Sequence, residues 1–275
     1  MTVTKTETVD GEYTVIKWTS SLAAGGGQDS TTWDADAAGA TKVQYLVVAG
    51  GGSAGARADD FSSFMGGGGA GGMREGSELA VNGTITVKVG AGAVRPTTQV
   101  IGNKGADSQF STITSDGGGA GGKNDGNGGD GGSGGGAGGN DAVAYGGSGT
   151  PGQGNDGGDQ TDGSSIGGSG GGGAGGVGGS NYALSGGTGG NAKVSTITGA
   201  SVYYSGGGAG GKGWTGGTVG SDGIGYSRSG YGMGGKFTGT DYDGTNGVVI
   251  IRFLTPTTTD NFGGVSLGSA NMMEV

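Results

Sequence analysis

The sequence GGGAGG at Gly67–Gly72 is written five times in this chain without a change. The other copies begin at Gly117, Gly134, Gly171 and Gly206. Glycine loses more conformational freedom on folding than any other residue, so ordering these repeats requires a compensating gain. The absence of a Cβ allows neighbouring backbones to approach closely. We therefore interpret the five glycine repeats as structural sites at which backbones pack against one another.

The composition as a whole also indicates that the backbone, more than the side chains, stabilises the fold. Glycine supplies 80 of the 275 residues, and large aliphatic residues are scarce. Such a composition is typical of low-complexity or disordered chains. The net charge of −9 is weak for this length, however, so self-repulsion does not favour an expanded chain. Dense backbone hydrogen bonding, rather than a large apolar core, is the expected source of stability.

Comparison with known glycine-rich structures limits the folds that this chain could adopt. The chain has three prolines and no sustained Gly-X-Y register, which excludes collagen. Silk-like Gly-Ala or Gly-Ser alternation is also absent from the sequence. Polyglycine in the polyproline II conformation makes no internal hydrogen bonds, so its N–H and C=O groups must bond to neighbouring segments. The sequence therefore predicts packed polyglycine segments of this type, and their irregular spacing argues against a solenoid.

Apolar runs and alternating patterns predict a small β-framework around these segments. The predicted fold is mainly β with extensive irregular glycine-rich structure and essentially no α-helix. Residues 1–40 are predicted as an N-terminal strand and loop that could serve for attachment, 41–254 as the glycine-rich domain, and 255–275 as a C-terminal tail or linker. Strands are expected at 11–19, 43–49, 78–90, 108–114, 194–197, 201–204 and 248–254.

Several functions are excluded by what the sequence lacks. It has no cysteine and no histidine, which rules out disulfides, thiolate or imidazole metal sites and histidine-based triads. No apolar run reaches the length of a membrane span, and the first residues lack the pattern of a secretion signal. The acidic balance argues against nucleic acid as a partner. We expect synthesis in a cytoplasm, no membrane insertion and no cofactor.

Polar residues between the repeats offer few candidates for chemistry. Matches to Gly-x-Gly-x-x-Gly are expected by chance here, and none precedes a helix. The carboxylate pairs Asp59/Asp60 and Asp241/Asp243 lie in glycine loops that would position a general acid and base poorly, so no enzymatic activity is predicted. Clusters of Asn and Asp at 124–130, 140–141 and 155–162 suit either turn capping or a bound cation. No metal ligand is assigned.

Isolated aromatic residues are the candidate recognition residues. Each stands in a loop among small or polar neighbours. Exposed Tyr and Trp rings are favoured in recognition and offer faces on which sugars stack. The alternative is that these rings close the ends of the glycine structure, where little else is apolar. The candidates for receptor binding are Tyr145, Tyr182, Trp214, Tyr226 and Tyr231.

Four segments in a fixed order resemble a known family. They read VQYLVVAGGGSAG from Val43, ITVKVGAG from Ile85, GADSQFSTITSDGGGAGG from Gly105 and NGVVIIRFL from Asn246. This order resembles a glycine-rich domain of tailed-phage tail fibre and other virion proteins, which also occurs in some bacterial surface proteins. The chain is also similar to the glycine-rich fibre-tip adhesins of T-even-like phages. The resemblance implies polyproline II glycine helices in a bundle, with loops that carry receptor specificity.

The resemblance gives the expected function. The chain is expected to be a structural virion protein, as a tail-fibre or fibre-tip component that contacts the host surface. Its expected partners are other virion proteins, a host surface glycan or outer-membrane protein, and further copies of itself, a trimer included. One alternative is a purely structural virion component, such as a capsid decoration or fibre shaft. Another is a bacterial surface or antifreeze-like glycine-rich protein, although an antifreeze face would need flatter, more regular loops.

Overall fold

A computed structural model describes residues 2–25, 27–56, 64–160, 167–214, 217–237 and 241–256. Within these ranges the chain forms strands, turns and extended segments and contains no helix, which confirms the predicted mainly β fold. The strands are β1 (Val3–Asp10), β2 (Tyr13–Ser20), β3 (Gln28–Asp34), β4 (Lys42–Val48), β5 (Met73–Ala80), β6 (Thr84–Gly90), β7 (Ser108–Phe110), β8 (Ile113–Ser115), β9 (Lys193–Ser195), β10 (Val202–Tyr204) and β11 (Val248–Leu254).

The strands form three antiparallel sheets. A five-stranded sheet has the order β1-β2-β11-β4-β5, and a four-stranded sheet has the order β3-β6-β7-β8. Strands β9 and β10 form a separate pair. Strand β11 lies at the centre of the largest sheet, paired with β2 on one side and β4 on the other. Both of its faces are covered, as the apolar run Val248–Phe253 requires.

The two faces of β11 contribute to different cores. Val249, Ile251 and Phe253 face a core shared with the four-stranded sheet. In that core the rings of Trp18 and Phe110 stack with centroids 6.2 Å apart. Val248 and Ile250 face the opposite core, which contains Leu46, Met73, Ile197 and Tyr204. Strict alternation along one strand therefore joins both halves of the framework.

Strands β1 and β3 are not among the strands predicted from the sequence, which places one strand at 11–19 and a loop in the rest of residues 1–40. Their residues are mainly threonine, serine and charged residues, so they lack an apolar face that periodicity could detect. Both owe their order to pairing, β1 with β2 through a two-residue hairpin and β3 with β6. Strands on either side of the predicted boundary at residue 40 share both larger sheets, since β2 pairs with β11 and β3 pairs with β6. The predicted tail lies outside the described residues after Pro256.

The first glycine repeat, together with the preceding Gly66, donates its N–H groups with a period of three residues. The groups at 66, 69 and 72 donate to the C=O groups of Gly122, Gly119 and Asp116. Those at 67 and 70 donate to Ser169 and Gly172, and those at 68 and 71 donate to Gly235 and Gly232. Three residues per turn is the period of the polyproline II helix. The hydrogen bonds thus have the geometry expected of packed polyglycine.

The C=O groups of Gly66 and of the first repeat accept hydrogen bonds from three further segments. Those at 66, 69 and 72 accept from the N–H groups of Gly55, Gly52 and Ala49. Those at 67 and 70 accept from Gly136 and Ser133, and the one at 68 accepts from Gly208. The first repeat is therefore surrounded by six segments, four of which contain the other glycine repeats. None of the glycines in the five repeats has a positive φ.

Close approach, rather than special backbone angles, explains the use of glycine here. A Cβ built on Gly68 would lie less than 3.0 Å from the backbone of Gly52 and Ser53. A Cβ on Gly71 would meet the backbone of Ala49 in the same way. The repeats place alanine at their fourth position, where the buried Ala70, like Ala137, finds room for its methyl group.

We expect Gly68→Ala to lower the free energy of unfolding by about 2 kcal/mol or more, because the added Cβ overlaps backbone that cannot move away. Gly176→Ala is the matched control within the fourth repeat. Its Cβ would lie 3.7 Å from the nearest atom, in ordinary contact. The control should therefore change stability by less than about 1 kcal/mol. Urea denaturation measures both, and equal effects of the two substitutions would refute the packing explanation.

Candidate functional site

The glycine segments run between two distinct ends. At one end, Gly72 bonds to Ala49 and Asp116, where strands β4, β5 and β8 begin or finish. At the other end, Gly66 bonds to Gly55 and Gly122, and no strand is attached among the described residues. We call the first the strand end and the second the loop end. Six residues of polyproline II helix separate them by about 19 Å.

Three of the five candidate aromatics lie at the loop end with exposed side chains. Tyr182 is 84% exposed, and the adjacent Ala183 accepts the N–H of Gly167. Trp214 is 59% exposed and packs edge-on against Phe64, with ring centroids 4.9 Å apart. The Gly213 N–H donates to the C=O of Leu184, which brings Trp214 next to the turn that carries Tyr182.

Tyr145 occupies a second position at the same end. Its side chain is 58% exposed, and its C=O accepts the N–H of Gly128. The preceding Ala144 pairs with Gln160 through two backbone hydrogen bonds. The side chain of Gln160 donates to the C=O of Asn140. Hydrogen-bonded backbone therefore holds the position of Tyr145, while its ring stays free of the core.

Tyr226 and Tyr231 are placed differently from the other three candidates. The Tyr226 hydroxyl donates to the C=O of Gly234 at 2.7 Å, and the Lys236 ammonium lies 4.7 Å from its ring centre. Burial, with a smaller contribution from Asp222, raises the pKa of Tyr226. The ring of Tyr231 stacks on that of Tyr204 near the strand end, with centroids 6.4 Å apart. The structure does not bring these two rings to the loop end, and receptor binding by any of the five stays a prediction.

The Asn and Asp clusters accept hydrogen bonds from backbone at the edge of the glycine structure. In the outer segment 144–149, two of the six N–H groups donate to backbone C=O groups and the other four donate to Asn or Asp side chains. Asn127 and Asp130, three residues apart, accept from the N–H groups of Tyr145 and Ser148. Asp156 and Asp159, also three apart, accept from Gly149 and Gly146. The three-residue spacing matches the polyproline II period and was the signal that sequence reasoning missed.

The remaining acidic candidates have internal partners as well. The Asp125 carboxylate accepts the N–H groups of Asp141 and Ala142, both at 2.9 Å. Asp241 pairs with Arg228 at 3.4 Å, and Asp243 accepts the Arg95 N–H. In the described ranges, no group of three or more acidic side chains could hold a metal ion. Asp59, Asp60 and Asp162 lie outside those ranges.

A family model described as a glycine-rich domain matches residues 26–254. The chain belongs to this glycine-rich domain family. The match covers both larger sheets except β1 and β2, together with all five glycine repeats. No curated protein matches the sequence. Among the described residues, no helix is long and apolar enough to span a membrane.

The Asx side chains are expected to stabilise the outer segment. Asp130→Ala leaves the Ser148 N–H without its acceptor and should lower the free energy of unfolding by about 1 kcal/mol. Asp130→Asn keeps the amide oxygen and should retain most of the stability. Amide hydrogen exchange at Ser148 measures the effect locally. Faster exchange in the asparagine variant than in the alanine variant would contradict this role.

Alkaline pH should destabilise the protein through its buried tyrosines. Burial raises the pKa of Tyr204 from 10.0 to about 12. In the unfolded chain the phenol ionises near 10, whereas the folded protein holds it neutral, so stability is complete below pH 10 and is lost as the pH rises towards 12. We expect a loss of roughly 2–3 kcal/mol from this residue.

The control for this prediction is Tyr204→Phe. This variant lacks the phenol and should lose less stability over the same pH range in urea denaturation. An equal loss in both proteins would show that Tyr204 does not carry the alkaline transition.

Proposed function

We propose that this protein is a structural virion protein of a tailed phage, acting as a tail-fibre or fibre-tip component that contacts the host cell surface through the loop end. The four ordered segments that resemble such proteins give the class of particle. The placement of exposed aromatic rings at one end of the molecule, away from the β-framework, is the observation that supports host contact.

The loop end has the physical features of a recognition surface. Tyr and Trp present large, rigid faces at a low cost in side-chain entropy, and they combine apolar area with a polar atom. Tyr145, Tyr182 and Trp214 stay exposed although an apolar core lies within the same molecule. Sugar rings stack on such faces, so a host surface glycan or the exposed loops of an outer-membrane protein would suit this end.

The glycine segments would serve this function by holding the loops in place. Loops anchored on a rigid scaffold lose less freedom when they bind than loops that are mobile. Each candidate ring lies within a few residues of a backbone hydrogen bond to a glycine segment, such as that from Gly213 to Leu184. The strand end carries the sheets and is the end proposed to join other virion proteins.

The proposal is tested by adsorption of particles that carry substituted chains. Replacing Tyr145, Tyr182 and Trp214 together with alanine should reduce adsorption to host cells at least tenfold, while particle assembly and the stability of the chain are retained. Tyr203→Ala is the matched control, because this tyrosine is also exposed, at 45%, but lies in β10 at the strand end. Its adsorption should equal that of the unsubstituted particle.

Normal adsorption of the triple variant would sink the proposed contact. Antibody labelling in electron microscopy supplies the second measurement. Label at fibre tips would support the proposal, whereas label on the capsid or along a fibre shaft would favour a purely structural virion component. Absence of the chain from particles, with label on bacterial cells, would favour a bacterial surface protein.

A further inference from the structure

Among the described strands, β1 is an edge strand of the five-stranded sheet, with β2 as its one partner. It pairs with β2 along its whole length, with eight partners and no shift in register. Residues Thr4–Val9 are exposed on both faces, and Val9 is 69% exposed. A regular edge strand with unpaired backbone groups is a template for another strand.

The hairpin between β1 and β2 determines which backbone groups of β1 point away from β2. Asp10 pairs with Tyr13 across Gly11 and Glu12, and Gly11 has a φ of 62°, as a type II′ turn requires. The residues that flank a two-residue turn form a hydrogen-bonded pair, and such pairs alternate along the hairpin. The even-numbered residues therefore bond to β2. The outward N–H and C=O groups belong to Val3, Lys5, Glu7 and Val9.

Other long edges in the described ranges are less suited to pairing. Strand β5 has an irregular register opposite Val43 and Tyr45, contains Gly76, and has a positive φ at Glu78. Such irregularities are a common protection of an edge. Strand β3 contains Asp29 and Asp34 and no basic residue, so two copies of it would bring like charges together.

The sequence of β1 is complementary to itself when reversed. From Val3 to Val9 it reads Val-Thr-Lys-Thr-Glu-Thr-Val, with Thr6 at the centre. We propose that β1 pairs antiparallel with β1 of a second copy of this chain, about a twofold axis at Thr6. In this register Lys5 lies opposite Glu7 of the partner subunit, and Val3 lies opposite Val9 of the partner subunit. All four of these positions have outward backbone groups, as the hydrogen-bonding pattern requires.

Charge complementarity favours this register. Lys5 and Glu7 form an ion pair at 2.9 Å within the strand, on side chains that are 46% and 52% exposed. In the dimer they would form a cluster of two positive and two negative charges with alternating sign. Opposite charges directly across an antiparallel pair stabilise it, whereas like charges destabilise it. The pairing would add about eight backbone hydrogen bonds and join two five-stranded sheets.

The symmetry predicts the size of the assembly. A contact that uses the same surface on both copies closes with two subunits, so β1 pairing gives a dimer and not a trimer. One strand pair buries little surface, so the dimer should dissociate at micromolar concentration and weaken with salt. This inference does not depend on the proposed function, because it concerns the strand end alone.

Charge reversal tests the pairing by sedimentation equilibrium of the full chain. Lys5→Glu places four acidic groups in the cluster, and Glu7→Lys places four basic groups there. Each variant alone should dimerise at least tenfold more weakly than the unsubstituted chain. Mixing the two should restore association as a heterodimer, since the acidic side chains of one variant then lie opposite the basic side chains of the other. Lys104→Glu, on an exposed loop, is the control for net charge and should leave the dimer unchanged.

The double variant with both Lys5→Glu and Glu7→Lys completes the design, because it exchanges the charges and should dimerise like the unsubstituted chain. Circular dichroism melting should show that every variant remains folded. The proposal is overturned if the unsubstituted chain is monomeric at high micromolar concentration. It is also overturned if the assembly is a trimer, or if reversal of either charge leaves association unchanged.

Discussion

The hydrogen bonds between glycine helices are the interaction on which the rest of this structure depends. The first repeat gives its N–H groups to three neighbouring segments and receives bonds from three others, as in the bonds between Gly69 and Gly119 or Gly52. Each such bond contributes only about 1 kcal/mol net, but leaving a buried group unpaired costs more. Replacing one central glycine therefore disturbs two kinds of interaction, because a Cβ separates the backbones that bond. The close approach of the backbones and the hydrogen bonds between them therefore both depend on the absence of a Cβ.

The β-framework supplies what the glycine helices cannot supply by themselves. Packed backbone is nearly uniform along its length, so it gives little to specify which segment lies beside which. Strands β4, β8 and β10 each run directly into a glycine segment, and β5 and β11 follow one. Side-chain contacts in the sheets, such as those of Trp18 and Phe110, then fix the start of each segment. Side-chain packing at the strand end thereby sets the alignment of the glycine segments, whose own backbone contacts specify little.

The sequence predicts the lattice better than it predicts the elements at the edges. Repetition of GGGAGG and the apolar β4 and β11 are strong local signals, and both lead to the structure observed. Strand β1 has no apolar face, and its order comes from a hairpin partner, so periodicity does not reveal it. Tyr226 contacts Gly234 and Lys236, which the fold brings back against its ring. A pattern local to Tyr226 does not reveal these contacts. The Asn and Asp side chains that accept the N–H groups of residues 144–149 could be found only once a three-residue period was known.

The division between backbone and side chains explains the unequal spacing of the repeats. The contacts between glycine segments involve main-chain atoms. Each segment therefore requires only glycine, or alanine at tolerated positions, over two turns. The chain between segments can then differ in length and sequence without altering those contacts, provided that its ends return to the lattice. The stretch between Gly139 and Ala144, for example, is only four residues long and reads Asn-Asp-Ala-Val. Differences in length and sequence are therefore tolerated most easily where the loops emerge from the glycine segments.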